Sequence, residues 1–162
     1  GLLYFSGDLP AGYKPAEVLF DTQTLQKGTQ VIMAGYGVTQ VKWADVKYKR
    51  NEKFIDKIKN GEVFCDFQVL DQDGDPTCIE LSMSGDGELR KTQTTIKYLT
   101  QSEFVLDEKT TGTCEGDSGG PVFLEKDGKL YLVGLTSRGD LLCDYEGVYT
   151  SIPSFIDWIL TH

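Results

Sequence analysis

Residues 114–121 read Cys-Glu-Gly-Asp-Ser-Gly-Gly-Pro, with one hydroxyl set among glycines. A serine is a weak nucleophile unless its hydroxyl is exposed and a base can reach it. Gly116, Gly119 and Gly120 permit that exposure around Ser118. Gly116 also leaves room for a substrate carbonyl to approach the backbone, which makes the N–H groups of Gly116 and Ser118 candidates to meet a developing oxyanion. Losing one such donor costs about 3–4 kcal/mol of barrier stabilisation. Pro121 suits the opening of a strand, where no ladder N–H is required. A glycine-rich turn containing Asp and Ser is unremarkable in itself, but Gly-Asp-Ser-Gly-Gly-Pro in unbroken order is specific, and the chemistry it serves is attack on a carbonyl.

Such a loop needs elements to hold it. Residues 16–20 and 29–34 are short runs of β-formers punctuated by Gly28, Gly35 and Gly37, and read as strands. Pro10, Gly12 and Pro15 make the preceding stretch an extended connection. Residues 89–99 and 103–106 also read as strands, and residues 121–135 as a hairpin turning at Asp127-Gly128. Strand after strand at turn-separated intervals suits an antiparallel barrel or a sandwich. The tail differs. Ile152, Ile156, Ile159 and Leu160 share a helical face behind Ser151 as cap, which predicts a short helix over about 152–161 docked on the strands.

Residues of about 38–88 stand apart because their charge is sorted: Lys42, Lys47, Lys49, Arg50, Lys53, Lys57 and Lys59 come first, and only acids follow from Glu62 to Glu88. The safer expectation for this surface is self-pairing or solvation. Phe54, Ile55 and Ile58 ahead of Gly61 predict either a short helix or a hairpin. Asp71-Gln72-Asp73-Gly74-Asp75 resembles the start of a calcium loop, yet Pro76 and Ser82 stand where an EF-hand wants glycine and glutamate. A turn is expected there, with no metal.

Composition narrows the class. The 162 residues include 18 glycines and are 40% apolar, which fits one all-β domain with a core of its own. A net charge of -9 argues against a nucleic-acid partner. No apolar run approaches the roughly 18 residues of a membrane span, and Gly1-Leu2-Leu3-Tyr4-Phe5 lacks the charged start and length expected of a signal peptide. Four cysteines fit two disulfides and an oxidising compartment but permit three pairings, and their spacing is not C-x-x-C, so zinc is not expected. No cofactor is implied.

The 114–121 run resembles the nucleophile loop of the trypsin and chymotrypsin family of serine proteases. Agreement continues downstream. Gly134-Leu135-Thr136-Ser137-Arg138-Gly139 resembles the family's substrate-binding edge strand, and Gly147-Val148-Tyr149-Thr150 with Phe155-Ile156-Asp157-Trp158-Ile159 resembles its last strand and terminal helix. Upstream, Leu9-Pro10-Ala11-Gly12-Tyr13-Lys14-Pro15 looks like the link between the family's two barrels, and residues 31–37 like the strand that ends in its Gly-aromatic-Gly turn. The resemblance covers roughly residues 1–37 and 89–162. It implies an all-β chain: residues 1–15 as the inter-barrel connection, and 16–162 as the C-terminal six-stranded antiparallel barrel with an insertion at about 38–88 and a C-terminal α-helix.

In function the resemblance implies a secreted or extracellular serine endopeptidase (periplasmic if bacterial), made as a zymogen and acting on a peptide or protein substrate through an acyl-enzyme on Ser118. Gly116 and Ser118 would form the oxyanion hole, and Asp117 would pair with a new N-terminal ammonium after activation. Cys114 would bond Cys143, which leaves Cys65 and Cys78 to pair by elimination inside the insertion, a bridge not equated with the family's usual second disulfide. Ser137, Arg138 and Gly139 would pair with the bound peptide. Gly112 and Thr113 stand where tryptic relatives carry the pocket-floor acid, so with Gly139 and Gly147 on its walls the pocket is expected to be open and neutral, with Glu115 and Arg138 as rim charges. The only histidine is the terminal His162, and Asp8 and Asp21 read as turn or linker carboxylates. The triad's His and Asp are therefore expected from a missing N-terminal barrel, and these residues alone are expected to be inactive. The alternative is a catalytically inactive, protease-like binding module, against which an intact Ser118 motif weighs. A third reading is an esterase or acyltransferase on the same scaffold.

Overall fold

The computed structural model describes residues 1–44, 56, 60, 67–70, 74 and 76–162. The helix-or-hairpin at Phe54, Ile55 and Ile58, the Cys65 partner of the second bridge, and acidic-turn residues 71–73 and 75 lie outside them. The chain forms two compact units, one of Gly1–Val38 with Asp86–His162 and one of Thr39–Gly85. Its strands in chain order are β1 (Glu17–Val18), β2 (Gln30–Gly35), β3 (Gln40–Ala44), β4 (Phe67–Leu70), β5 (Pro76–Ser84), β6 (Arg90–Leu99), β7 (Glu103–Asp107), β8 (Pro121–Lys126), β9 (Lys129–Gly139) and β10 (Glu146–Ser151). The Thr39–Gly85 unit holds a three-stranded antiparallel sheet in the order β3-β5-β4.

The larger unit is a barrel. Its strands run β9-β10-β7-β6-β2-β8, every pair antiparallel, and β8 returns to pair with β9. Closure settles the choice between barrel and sandwich and leaves no long open edge. β1 adds two residues in parallel to β9.

Alternation along the strands fills the interior. Val31 and Met33 of β2, Val122 and Leu124 of β8, and Tyr149 of β10 are buried at every second position. Phe104 of β7 stacks on Tyr149 with ring centroids 5.5 Å apart, and a side chain at 134 would overlap the Phe104 ring. Gly134 is thus fixed by packing. The β8–β9 hairpin turns at Asp127-Gly128 as expected: Lys126 faces Lys129, and both turn residues have positive φ, as a two-residue primed turn demands.

The tail departs from expectation. Ile152–Phe155 is a 3-10 turn and only Ile156–Thr161 is α-helix, here α1. Ser151 does not cap the backbone; its hydroxyl accepts from Ser154 instead. The physical reason is Pro153, which removes one of the N–H groups that a cap would bind. Ile152 and Pro153 are buried and Leu160 is exposed, so docking rests on the turn more than on the helix.

Candidate active site

The loop between β7 and β8 carries Ser118. Two turns shape it, closed by Asp117 N–H to the Cys114 carbonyl at 3.0 Å and Gly120 N–H to the Asp117 carbonyl at 2.8 Å. It is pinned to β9, where Gly119 N–H donates to the Thr136 carbonyl at 2.8 Å and Thr136 N–H to the Gly120 carbonyl at 2.9 Å. Gly116 has φ +95°, a conformation that side chains rarely adopt, so the turn requires glycine there. Ser118 and Gly116 are exposed, and neither of their N–H groups donates to an acceptor among the described residues.

Asp117 turns away from Ser118 into the protein. Its Oδ1 accepts the Gly37 N–H at 2.8 Å and its Oδ2 the Cys114 N–H at 3.0 Å. A Cβ on Gly35 or Gly37 would run into this carboxylate, so the glycine that ends β2 and the one two residues beyond it form its socket. A depression of about 270 Å³ lies alongside, lined by Tyr36, Leu89, Asp117 and Ser118 among others.

Cys114 and Cys143 are bridged, with Cα atoms 5.3 Å apart and a sequence separation of 29. The bond ties the Ser118 loop to the turn after β9. Changing both cysteines to alanine is expected to lower stability by about 3–4 kcal/mol, through the freedom restored to the unfolded chain. Urea unfolding monitored by fluorescence checks this as a fall in midpoint.

The residues expected to form a neutral pocket, Gly112, Thr113, Gly139 and Gly147, do gather around one spot, but that spot holds a carboxylate. Glu108 is 2% exposed. Its Oε1 accepts the Thr113 N–H at 2.9 Å, the Thr113 hydroxyl at 3.3 Å and the Tyr149 hydroxyl. A side chain at Gly112 or Gly147 would overlap the Glu108 carboxyl, and one at Gly139 would touch its Oε2 at 4.0 Å. The carboxylate among these residues comes from the end of β7 and not from position 112 or 113. Burial pushes the Glu108 carboxyl above the usual carboxylate range, although hydrogen bonds from Tyr149 and Thr113 oppose this. The Tyr149 phenol is pushed up as well, by burial first and then by the Glu108 charge. A signal for Glu108 existed in the sequence. It extends the inward positions Phe104 and Leu106 by two residues, and its N–H continues the β7–β10 pairing by donating to the Tyr145 carbonyl at 3.1 Å.

The remaining expected site residues divide. Arg138 is held by Glu103 in a two-pronged pair at 2.6 and 2.9 Å, so its charge is already engaged. Glu115 is exposed, and its backbone carbonyl accepts the Val38 N–H at 2.9 Å. Ser137 is the extra residue of a bulge, since Val148 faces Arg138 and Tyr149 faces Thr136. β8 pairs with β9 only up to Leu135, which leaves Ser137, Arg138 and Gly139 with a side of β9 that no described strand occupies. His162 is exposed and stacks on Trp158 at 5.2 Å, with no contact to Ser118. Asp21 caps the 3-10 turn Thr22–Thr24 through Gln23 N–H at 2.9 Å, consistent with a turn carboxylate.

Comparison with known proteins agrees with this geometry. The family model described as Trypsin matches residues 68–159, more than half of the chain. The chain is 48% identical over 52 residues to the proclotting enzyme of Tachypleus tridentatus, covering 30% of this chain and 14% of that protein. It is 43% identical over 65 residues to the complement C1s subcomponent of Rattus norvegicus, covering 38% and 9%. It is 48% identical over 48 residues to the hepatocyte growth factor activator serine protease of Mus musculus, covering 28% and 7%. The matched stretches thus span a small part of each relative.

Proposed function

This chain belongs to the trypsin family, and from that premise we propose that it is the nucleophile-bearing part of a serine endopeptidase. The observation that carries the reading is Ser118 itself, exposed at a pinned turn beside two unengaged N–H groups. In the proposed reaction the Ser118 hydroxyl oxygen bonds to a peptide carbonyl carbon while a base takes its proton. The N–H groups of Gly116 and Ser118 meet the resulting oxyanion. Collapse breaks the C–N bond, the base returns the proton to the departing amine, and water later cleaves the acyl-Ser118 ester by the same steps.

No His or Asp side chain of the described residues hydrogen-bonds to the Ser118 hydroxyl, so the base and its orienting acid are proposed to come from a further barrel of the same protein. Asp117 is proposed to receive an ammonium after activation, its carboxylate already anchored at Gly37 and Cys114. Ser137, Arg138 and Gly139 are proposed to pair with an extended substrate along the open side of β9. The Cys114–Cys143 bond supports a secreted protein.

Fluorophosphonate labelling of the activated full-length protein, followed by peptide mapping, tests the reading. Modification confined to Ser118 is expected. An activated, folded protein that takes no label would sink the enzyme and leave a protease-like binding module in its place.

A further inference from the structure

We propose that Asp140 is a positioning residue for the Ser118 loop, acting through Cys143 and its bond to Cys114. This rests on the reading of Ser118 as nucleophile and adds a residue that sets its geometry from another segment of the chain. Asp140 is the first residue after β9, and its carboxylate is committed to the turn that follows. Oδ1 accepts the Tyr145 N–H at 2.9 Å and the Glu146 N–H at 3.1 Å, Oδ2 accepts the Asp144 N–H at 3.2 Å, and the Asp140 backbone carbonyl accepts the Cys143 N–H at 3.2 Å. Burial works against the charge, yet the N–H groups of Asp144, Glu146, Tyr145 and Leu142 outweigh it and hold the carboxyl below the usual range.

This turn places Cys143 where a side chain rarely goes. Its φ is +57°, in the left-handed region. A residue stays there only when its surroundings over-determine it. Asp140 supplies that constraint, binding the Cys143 N–H and the three N–H groups after it. The constraint then crosses the disulfide to Cys114. Cys114 opens the turn that leads to Ser118: its carbonyl accepts the Asp117 N–H and its N–H donates to Asp117 Oδ2, both at 3.0 Å. Gly116, whose N–H is proposed to meet the oxyanion, lies inside that turn. A displaced Cys143 therefore displaces the donors beside the nucleophile.

The far end of the 140–146 turn is held without Asp140. The Tyr145 carbonyl accepts the Glu108 N–H at 3.1 Å, the Lys97 and Lys109 ammoniums lie 5.0 and 5.4 Å from the centre of the Tyr145 ring, and Lys97 pairs with Glu146. Removing the carboxylate should loosen the stretch around Cys143 and leave the barrel folded. Asparagine is not equivalent. Both Asp140 oxygens accept, whereas an amide offers one acceptor and turns its NH2 toward the remaining donor.

The test measures the second-order rate of fluorophosphonate labelling at Ser118 in the activated full-length protein, well below the melting temperature of every variant. Asp140→Ala is expected to slow labelling about 10- to 100-fold, the scale on which a small misplacement of reacting groups costs rate, and Asp140→Asn to recover part of the loss. The Cys114→Ala/Cys143→Ala protein is expected to be slow as well, and adding Asp140→Ala to it to change nothing further. Folded Asp140→Ala that labels at the wild-type rate would overturn the proposal. An equal loss with and without the disulfide would overturn it too, since Asp140 would then act by another route. Amide hydrogen exchange of wild type and Asp140→Ala decides where the disulfide-free protein does not fold, or where the wild type takes no label and the nucleophile reading fails. Faster exchange at residues 114–119, beyond that at 141–146, supports the proposal, and a change confined to 141–146 overturns it. A wild type that labels at Ser118 while Asp140→Ala changes neither rate nor exchange loses only the Asp140 assignment.

Discussion

Ser118→Ala is expected to lower kcat of the activated full-length protein on a peptide ester by about a million-fold, the scale on which serine enzymes lose activity when the nucleophile is removed. The whole of the proposed covalent pathway runs through one oxygen, so no neighbouring group replaces it. Glu115 and Asp117 carry the nearest carboxylates in sequence, but Asp117 is committed to Gly37 and Cys114. Folding should be untouched, because the Ser118 side chain is exposed and makes no hydrogen bond within the described residues. The measurement pairs steady-state kinetics with a thermal melt. A variant that retains a tenth of the activity would move the nucleophile elsewhere, and one that melts early would make the loss uninterpretable as chemistry. The unengaged N–H groups of Gly116 and Ser118 survive the substitution, so substrate binding is expected to outlast catalysis.

Phe104→Ala is expected to cost about 3–5 kcal/mol of folding stability, the usual range for emptying an aromatic site in a core. Phe104 is 0% exposed, stacks on Tyr149, and fills the space that Gly134 leaves on β9. Three strands, β7, β9 and β10, therefore meet on one ring, and none can move into the hole without breaking its ladder. Tyr149 also donates to Glu108, which accepts the Thr113 N–H beside the Ser118 loop, so the loss should loosen that carboxylate as well. Chemical denaturation of the purified protein reads the cost. A cost under 1 kcal/mol would mean that the barrel collapses around the vacancy, contrary to the close packing on all three sides.

How much of this was legible in the sequence depends on what each feature required of its residues. The Ser118 loop was legible because its turns accept few alternatives: Gly116 needs positive φ, and Gly120 packs against the Asp117 carbonyl. The Asp127-Gly128 hairpin was legible for the same reason, both residues having positive φ. Barrel against sandwich was not. Alternation in β2, β8 and β10 buries one face in either architecture, and the decision lies in long-range pairing of β8 with both β2 and β9, helped by bulges in β9 at Val133 and Ser137. The Ser151 cap does not form because Pro153 outweighs a favourable hydroxyl. Glu108 escaped notice because a glutamate at a strand end usually faces solvent. It continues the inward alternation of Phe104 and Leu106, but the room for it comes from Gly112, Gly139 and Gly147, spread over three segments.

The bond between Cys114 and Cys143 closes a covalent ring around the Ser118 turn, β8 and β9. Proteolytic nicking at any peptide bond inside that ring, including those flanking the exposed Ser137 and Arg138, opens the ring without releasing a fragment. Both new ends stay tethered to one molecule, and the mass changes only by the water taken up. A preparation damaged in this way migrates as a single intact species until it is reduced, so its age is written in a reducing gel and hidden in any other.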